Sequence, residues 1–189
     1  MHFIELIKGY TPYNEQEEKD KAVILYCLER FEDVLTRKNE IAHITCSAFV
    51  VNRTKDKVLV VHHNIYNSWS WTGGHADGEE DLLAVAMKEL NEETGVKNSH
   101  PVTSDIFSLD ILPVFGHTKR GNYVSPHIHL SIAFLIEADE TDALIVKEDE
   151  NSGVKWIPLD ELNDYSNEPH MHKLYDKFIS KIKELGIYK

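Results

Sequence analysis

The feature that most constrains this sequence is the stretch from Gly73 to Val96, where a glycine turn leads into a short acidic segment. If residues 80–94 form a helix, glutamates stand at positions i, i+3 and i+4 and project from one face. These glutamates are Glu89, Glu92 and Glu93. Apolar residues recur at the same period on another face, as in Leu82, Leu83, Ala86 and Leu90. One face would therefore pack on a core while the other coordinates a metal ion.

The ends of this helix also carry local signals. Asp77 is predicted to be the N-cap, with Glu80 three residues later in the position of a capping box. Gly95 suits the left-handed residue that follows the last helical turn. The pattern thus predicts a helix bounded by Glu80 and Thr94.

Three carboxylates within one turn repel one another, and like charges at i and i+4 destabilise a helix by about a few tenths of a kcal/mol. A divalent cation would remove that repulsion. Oxygen-only ligands favour hard ions, and Mg²⁺ takes a few carboxylates while water and phosphate oxygens fill its other positions. The alternative is a solvated acidic face on a surface helix. The spacing of the residues around the glutamates distinguishes the two interpretations.

That spacing resembles the signature box of the Nudix hydrolases. The positions that fit are Gly74, Glu80, Glu89, Leu90, Glu92, Glu93, Gly95 and Val96. Six of these positions, the two glycines and the four glutamates, match the box literally, and the other two match as aliphatic residues. The six literal matches alone would arise by chance on the order of once in a hundred thousand chains. The departure is Lys88, where the family usually has arginine; lysine keeps the charge but lacks the planar fork of a guanidinium.

The resemblance implies an α/β fold, a Nudix-type α/β/α sandwich on a mixed sheet, preceded here by an N-terminal helical extension. It also implies hydrolysis of a pyrophosphate bond in a nucleoside diphosphate linked to another moiety, such as a nucleoside triphosphate, ADP-ribose or a sugar nucleotide. Mg²⁺ is the expected cofactor, with Mn²⁺ as a substitute. The implied catalytic residues are Glu80, Lys88, Glu89, Glu92 and Glu93.

The same resemblance implies the metal ligands. Besides Glu89, Glu92 and Glu93, they include the carbonyl of Gly73. Family members often add a glutamate from the loop before a tryptophan-containing strand, for which Glu150 is the best candidate here and Glu148 the next.

Charge and composition narrow the class of partner. The formal net charge of −12 opposes binding to nucleic acid or to anionic membranes, because both interactions depend on clustered Lys and Arg. A metal–nucleotide complex suits this acidity better than a bare nucleotide does. Cys27 and Cys46 are too few for a disulfide framework, and the N-terminus lacks the pattern of a signal peptide, so we expect a cytoplasmic protein.

The chain is expected to comprise an extension, residues 1–38, and a Nudix domain, residues 39–189. Residues 14–37 show helical spacing of apolar side chains and predict one amphipathic helix. Its apolar stripe must pack either on its own domain, which we favour, or on a second copy in a homodimer. Residues 41–51 and 58–63 predict a strand pair buried on both faces.

Substrate contacts are predicted on both sides of the box. In the strand 127–137, period-two alternation places His127 and His129 on one face, where they would line the substrate cleft. A zinc pair is the alternative, disfavoured because two histidines without a third ligand nearby are more often hydrogen-bonded wall residues. We also expect at least one aromatic to stack on a planar part of the substrate. The candidates are Tyr66, Trp69, Phe115 and Tyr123, for each of which core packing is the alternative.

Two other function classes remain open from the sequence. The domain could sense a nucleotide or metal without turnover, or the N-terminal helix could make it an interaction module. We favour the enzyme, because a pure binding protein has no chemical need for the complete glutamate set. Which nucleoside diphosphate derivative is cleaved depends on loops that vary around one frame.

Overall fold

The computed structural model describes residues 2–119 and 121–186. The helices are α1 (Phe3–Gly9), α2 (Glu15–Arg30), α3 (Leu82–Thr94), α4 (Leu162–Tyr165) and α5 (Pro169–Glu184). The strands are β1 (Ala42–Val51), β2 (Lys57–His63), β3 (Ser68–Ser70), β4 (Thr72–His75), β5 (Ser99–Pro101), β6 (Ser108–Val114), β7 (His117–Lys119), β8 (Asn122–Val124), β9 (His127–Ala138) and β10 (Asn151–Pro158). Within the described part of the chain, no helix is both long and apolar enough to span a bilayer.

The main sheet has the strand order β10–β2–β1–β9–β5. In addition, β3 pairs with β2, β4 with β1 and β6 with β9, while β7 and β8 form a separate hairpin. Strands β6 and β9 are antiparallel, in a register that runs from Ser108 opposite Ala133 to Val114 opposite His127. Every residue of β1 is buried, as predicted for a strand covered on both faces.

The described chain divides into two compact units. The first comprises residues 1–47, 73–86 and 104–134, and the second comprises residues 48–72, 87–103 and 135–189. The first unit contains α1, α2 and the histidine-bearing part of β9, and the second contains the glutamate-bearing part of α3 together with α5. The predicted boundary at residue 38 between an extension and a domain stays a prediction.

The predicted helix over residues 14–37 is shorter in the structure. Asn14 caps α2 by accepting a hydrogen bond from the Glu17 backbone N–H at 3.0 Å, but the helix ends at Arg30. The backbone then turns, and the Val34 carbonyl accepts a hydrogen bond from Ile44 N–H at 2.7 Å. The last third of the prediction was wrong: Phe31 has an extended backbone, with φ of −118° and ψ of 124°, and the turns that follow it make a backbone hydrogen bond to β1 instead of continuing the helix.

Helix α2 packs against β6 through buried polar groups. Glu17 is fully buried and accepts hydrogen bonds from the hydroxyls of Tyr10 at 2.5 Å and Ser108 at 2.8 Å. Asp20 accepts one from the Ile111 backbone N–H at 2.9 Å. Ile24 and Cys27 of the apolar stripe are also buried, so part of the stripe packs within its own chain, while a homodimer stays a prediction.

Candidate active site

Helix α3 begins two residues later than predicted. Asp81 acts as the N-cap, because its Oδ1 accepts a hydrogen bond from the Ala84 backbone N–H at 3.0 Å. Asp77 lies in a turn with a positive φ of 48°, and its carboxylate receives two hydrogen bonds from the Arg37 guanidinium. The prediction of Asp77 as the cap was therefore wrong. Gly95 does adopt the left-handed conformation, with φ of 73°, as predicted.

Two residues with predicted roles belong to the first unit. A Cβ on Gly73 would lie 2.7 Å from Ser47 Oγ and 2.8 Å from the Cys46 carbonyl oxygen, so close approach of the chain to β1 already requires glycine here. Glu80 lies before α3, with its carboxylate 3.6 Å from His2 Nε2. Metal binding by the Gly73 carbonyl and a catalytic role for Glu80 stay predictions.

The carboxylates of the box differ in their surroundings. Glu89 is half-buried, Glu92 is exposed and Glu93 is 1% exposed. Burying a carboxylate in its charged form is costly unless cations or hydrogen-bond donors stabilise it. The three glutamates thus differ in exposure within little more than one turn of α3, and the exposed one lies between the half-buried one and the buried one in the sequence.

Lys147 connects this helix to the loop before β10. Its Nζ lies 3.0 Å from Glu150 Oε2 and 3.9 Å from Glu92 Oε2. From the other side, Lys88 Nζ lies 3.7 Å from Glu92 Oε1. The structure therefore brings Glu150 to the same ammonium group as Glu92, and both belong to the second unit.

The sequence reasoning missed Lys147. Its signal was the presence of a lysine within the otherwise acidic loop of residues 141–153. Burial lowers the pKa of this lysine, but its hydrogen bond to Glu150 and the charges of Glu150, Glu89 and Glu92 outweigh burial and leave the pKa raised. Lys147 is consequently a firmly charged cation among three carboxylates.

The electrostatics of Glu89 fit a cation site. Burial raises the pKa of Glu89, and repulsion from Glu92 raises it further, while Lys147 and Lys88 act in the opposite direction. Carboxylate oxygens are hard donors, and the charge that would relieve their repulsion is positive. The residues grouped here therefore fit a hard divalent ion such as Mg²⁺ or Mn²⁺.

We expect Glu89→Gln to stabilise the metal-free protein at neutral pH. A carboxyl whose pKa is raised on folding binds its proton more tightly in the folded state, so its ionisation costs stability as pH rises from the unfolded pKa through the folded one. The gain from glutamine should be absent at about pH 4 and present at about pH 7.5, in thermal unfolding with a chelator. A gain of equal size at both values, or destabilisation at neutral pH, would contradict this account of Glu89.

The four aromatic residues predicted to contact substrate differ in exposure: one is half-buried and three are exposed. Trp69 is half-buried, and Lys155 Nζ lies 4.1 Å from its ring centroid, so a protein cation already covers this ring. Tyr66 contacts His63 edge-on and is 45% exposed, while Phe115 and Tyr123 are 71% and 70% exposed. Substrate stacking by any of the four stays a prediction.

Four histidine rings meet within the first unit. His127 and His129, on one face of β9, have ring centroids 5.2 Å apart. His43 of β1 lies 4.8 Å from His127 and 5.1 Å from His129, and His75 of β4 lies 5.1 Å from both His43 and His129. The expectation that no third potential ligand lies near the pair on β9 was wrong. The reason is non-local, because β9, β1 and β4 are neighbours in the sheet.

Comparisons with known proteins place this geometry in context. A family model for the NUDIX domain matches residues 42–178. An RNA pyrophosphohydrolase of Pelagibacter ubique is 28% identical over 141 residues, which cover 72% of this chain and 89% of that protein. An asymmetrical bis(5'-nucleosyl)-tetraphosphatase of Rattus norvegicus is 26% identical over 113 residues, or 59% of this chain and 70% of that protein.

Solved structures show the same fold. An Ap4A hydrolase of C. elegans aligns with a TM-score of 0.55 and 17% identity, over 75% of this chain and 98% of that chain. A NUDIX family hydrolase from Clostridium perfringens aligns with a TM-score of 0.53 and 19% identity, over 76% and 97% of the two chains. These likenesses confirm the predicted fold class of a mixed sheet with helices.

Proposed function

The chain belongs to the Nudix family of hydrolases, which act on pyrophosphate bonds, and we propose that it cleaves the pyrophosphate bond of a nucleoside diphosphate linked to another moiety, with Mg²⁺ as its metal. Mn²⁺ is the expected substitute.

The observation that carries the proposal is the group formed by α3 and the loop before β10. Glu92 and Glu150 both lie within 4.0 Å of the Lys147 ammonium group. The charges of Glu92, Lys147 and Glu150 also shift the pKa of Glu89. In the Nudix pattern, the glutamates that align with this set are the metal ligands. We therefore assign Glu89, Glu92, Glu93 and Glu150 as the carboxylate ligands.

When bound, Mg²⁺ supplies Lewis-acid polarisation of phosphoryl oxygens and lowers the pKa of a coordinated water. The chain's own residues fix the position of these charges. Lys88 and Lys147 lie 3.7 and 3.9 Å from different oxygens of Glu92, so both ammonium groups attract its carboxylate. Glu93 adds a carboxyl group that is shielded from water.

The substrate class follows from charge. With a net charge of −12, the protein suits a compact phosphate group that arrives with a cation better than a long polyanion. Contacts to the remainder of the substrate are proposed for Tyr66 and Trp69 of the second unit. Substrate contacts by His127 and His129 of the first unit stay a prediction.

The test is a substrate panel with purified protein, Mg²⁺ and quantified phosphorylated products. The panel should contain nucleoside triphosphates, ADP-ribose, sugar nucleotides and dinucleoside tetraphosphates, together with a 5'-triphosphorylated RNA because one relative is an RNA pyrophosphohydrolase. We expect turnover of at least one small nucleotide. Tight binding without turnover across the panel would favour a non-catalytic sensor instead.

Comparison of two lysines tests how Glu92 is positioned. Lys88→Arg should be tolerated or should raise activity, because the guanidinium fork can hold a carboxylate with two hydrogen bonds, whereas Lys88→Met should lower activity. Lys147→Met should lower kcat more than Lys88→Met, because Lys147 contacts Glu150 as well as Glu92 and is less exposed. Steady-state kinetics at saturating Mg²⁺ measures both effects. Equal rates for the wild type and all three variants would show that neither lysine orients the carboxylates.

A further inference from the structure

The histidine cluster of the first unit carries an inference beyond the carboxylate site. We propose that His43, His75 and His129 form a second metal site, which takes a divalent transition metal of the Zn²⁺ class and leaves one coordination position open. The potential ligand atoms of these three side chains all lie within 4.8 Å of one another. All three residues belong to the first unit, on β1, β4 and β9.

His43 is the anchor of this site. Its Nδ1 lies 2.8 Å from the Asn39 carbonyl oxygen, and because a carbonyl can only accept, Nδ1 carries the proton. The other nitrogen, Nε2, is therefore an acceptor, yet it is buried and has no hydrogen-bond partner among the described residues. The side chain is only 4% exposed, so this nitrogen is costly unless something binds it. A metal ion at Nε2 would remove that cost.

The hydrogen bond from His43 to Asn39 matches the usual second shell of a metal-binding histidine. Such ligands commonly donate their remaining N–H to a backbone carbonyl, which fixes both tautomer and ring orientation. Asn39 is itself held in place, because its side-chain oxygen accepts hydrogen bonds from the backbone N–H groups of Ile41 and Ala42 at 3.0 Å each. The loop before β1 thus orients His43 before any ion arrives.

Two ligands of the cluster, His43 and His129, present neutral imidazoles at physiological pH. Burial and the neighbouring histidines lower the pKa of His129 to about 2, and burial is also the largest cause of the lowered pKa of His43. Neutral imidazole suits Zn²⁺, Co²⁺, Ni²⁺ and Cu²⁺, whereas Mg²⁺ prefers oxygen. The two sites of this protein would consequently select different ions.

The geometry requires a modest contraction. With Zn–N bonds of about 2.0–2.1 Å, nitrogens of a tetrahedral site are roughly 3.4 Å apart, so the rings must move together from separations of up to 4.8 Å. His127 is held beside the group by a hydrogen bond from its Nδ1 to the Ser125 carbonyl oxygen at 2.8 Å. Three protein ligands with an open position are typical of metal sites that bind water or an anionic oxygen.

The experiment measures metal binding directly and does not depend on turnover. Chelator-treated, desalted protein is dialysed against Zn²⁺ in excess Mg²⁺ and its metal content is measured, and a parallel sample is titrated with Co²⁺, whose visible absorption reports nitrogen coordination. We expect about one Zn²⁺ per chain, and a loss of affinity of roughly 100-fold or more for His43→Gln and His129→Gln. The matched control is His100→Gln at an exposed histidine of the second unit, which should bind as the wild type does.

Glu92→Gln separates this proposal from the proposed function. It should abolish turnover yet retain the bound Zn²⁺, so failure of either assignment can be recognised independently. If His43→Gln or His129→Gln loses its fold by circular dichroism, His75→Gln at the half-buried position takes its place. X-ray absorption of Zn²⁺-loaded wild type decides without any variant, because it should show imidazole nitrogen ligands. Absence of Zn²⁺ from the wild type, loss of Zn²⁺ in Glu92→Gln, or an oxygen-only ligand shell would overturn the proposal.

Discussion

Replacement of Glu92 by glutamine is expected to lower kcat by about a thousandfold or more while leaving the fold intact. The substitution keeps the shape of the side chain but removes the charge that would bind the metal, and it also breaks the contacts of Lys88 and Lys147 with a carboxylate. Glu92 is exposed, so the thermal unfolding temperature should change little. Steady-state kinetics over a range of Mg²⁺ concentrations measures the effect.

The matched control is Glu29→Gln, which makes the same chemical change at an exposed position of α2 and should retain full activity. If Glu92→Gln keeps more than about a tenth of the wild-type rate in excess Mg²⁺, the metal assignment is wrong. Glu93→Gln should be comparably inactive, but its 1% exposure means that its stability must be measured alongside its rate.

The largest effect on stability is expected from Phe178→Ala. Phe178 is fully buried in α5, with its ring 4.9 Å from Phe49 and 5.0 Å from Trp71. Truncation of a buried aromatic leaves a cavity and typically costs about 3–5 kcal/mol. Chemical denaturation should show this loss in the free energy of unfolding, with any fall in activity traceable to the unfolded fraction.

Phe115→Ala provides the same substitution at a side chain that is 71% exposed, and it should change the free energy of unfolding by no more than about 0.5 kcal/mol. A cost for Phe178→Ala similar to that of Phe115→Ala would show that α5 does not depend on this aromatic contact. The Phe115 variant also tests substrate stacking, because a stacking residue would raise KM with stability unchanged.

The sequence predicted those parts of the fold that depend on local signals. The strands predicted from the apolar content of residues 41–51 and 58–63 correspond to β1 and β2 within one residue at each end. The glycine after α3 adopts the expected left-handed conformation. Both features are decided by residues adjacent in the chain, so a pattern of a few residues is sufficient.

Contacts with residues distant in the sequence accompany both errors at helix ends. Asp77 and Asp81 are both good N-caps by residue type, but Asp81 caps the helix, whereas Asp77 lies in a turn with positive φ and its carboxylate is bound by Arg37, forty residues earlier. The helical spacing continues beyond Arg30, but the backbone is extended at Phe31, and Val34 then bonds to Ile44 instead of continuing the helix. In each case a contact between distant residues overrides a local preference.

For the same reason, the sequence predicted only part of the candidate site. The box identified the glutamates of α3, and the family pattern suggested Glu150. Lys147 could not be assigned, because its role depends on where the loop before β10 places its side chain. His43 and His75 were equally hidden, since their proximity to His129 depends on the order of strands in the sheet.

The central claim is hydrolysis of a pyrophosphate bond by carboxylate-bound Mg²⁺, and turnover in ¹⁸O-labelled water tests it most directly. The best substrate of the panel is incubated with wild type and with Glu92→Gln, each with Mg²⁺ and with chelator, and the products are analysed by mass spectrometry. We expect one labelled oxygen in one phosphorylated product, formed only by the wild type with Mg²⁺. Equal labelled product from the Glu92→Gln variant, or from wild type in chelator, would contradict the account.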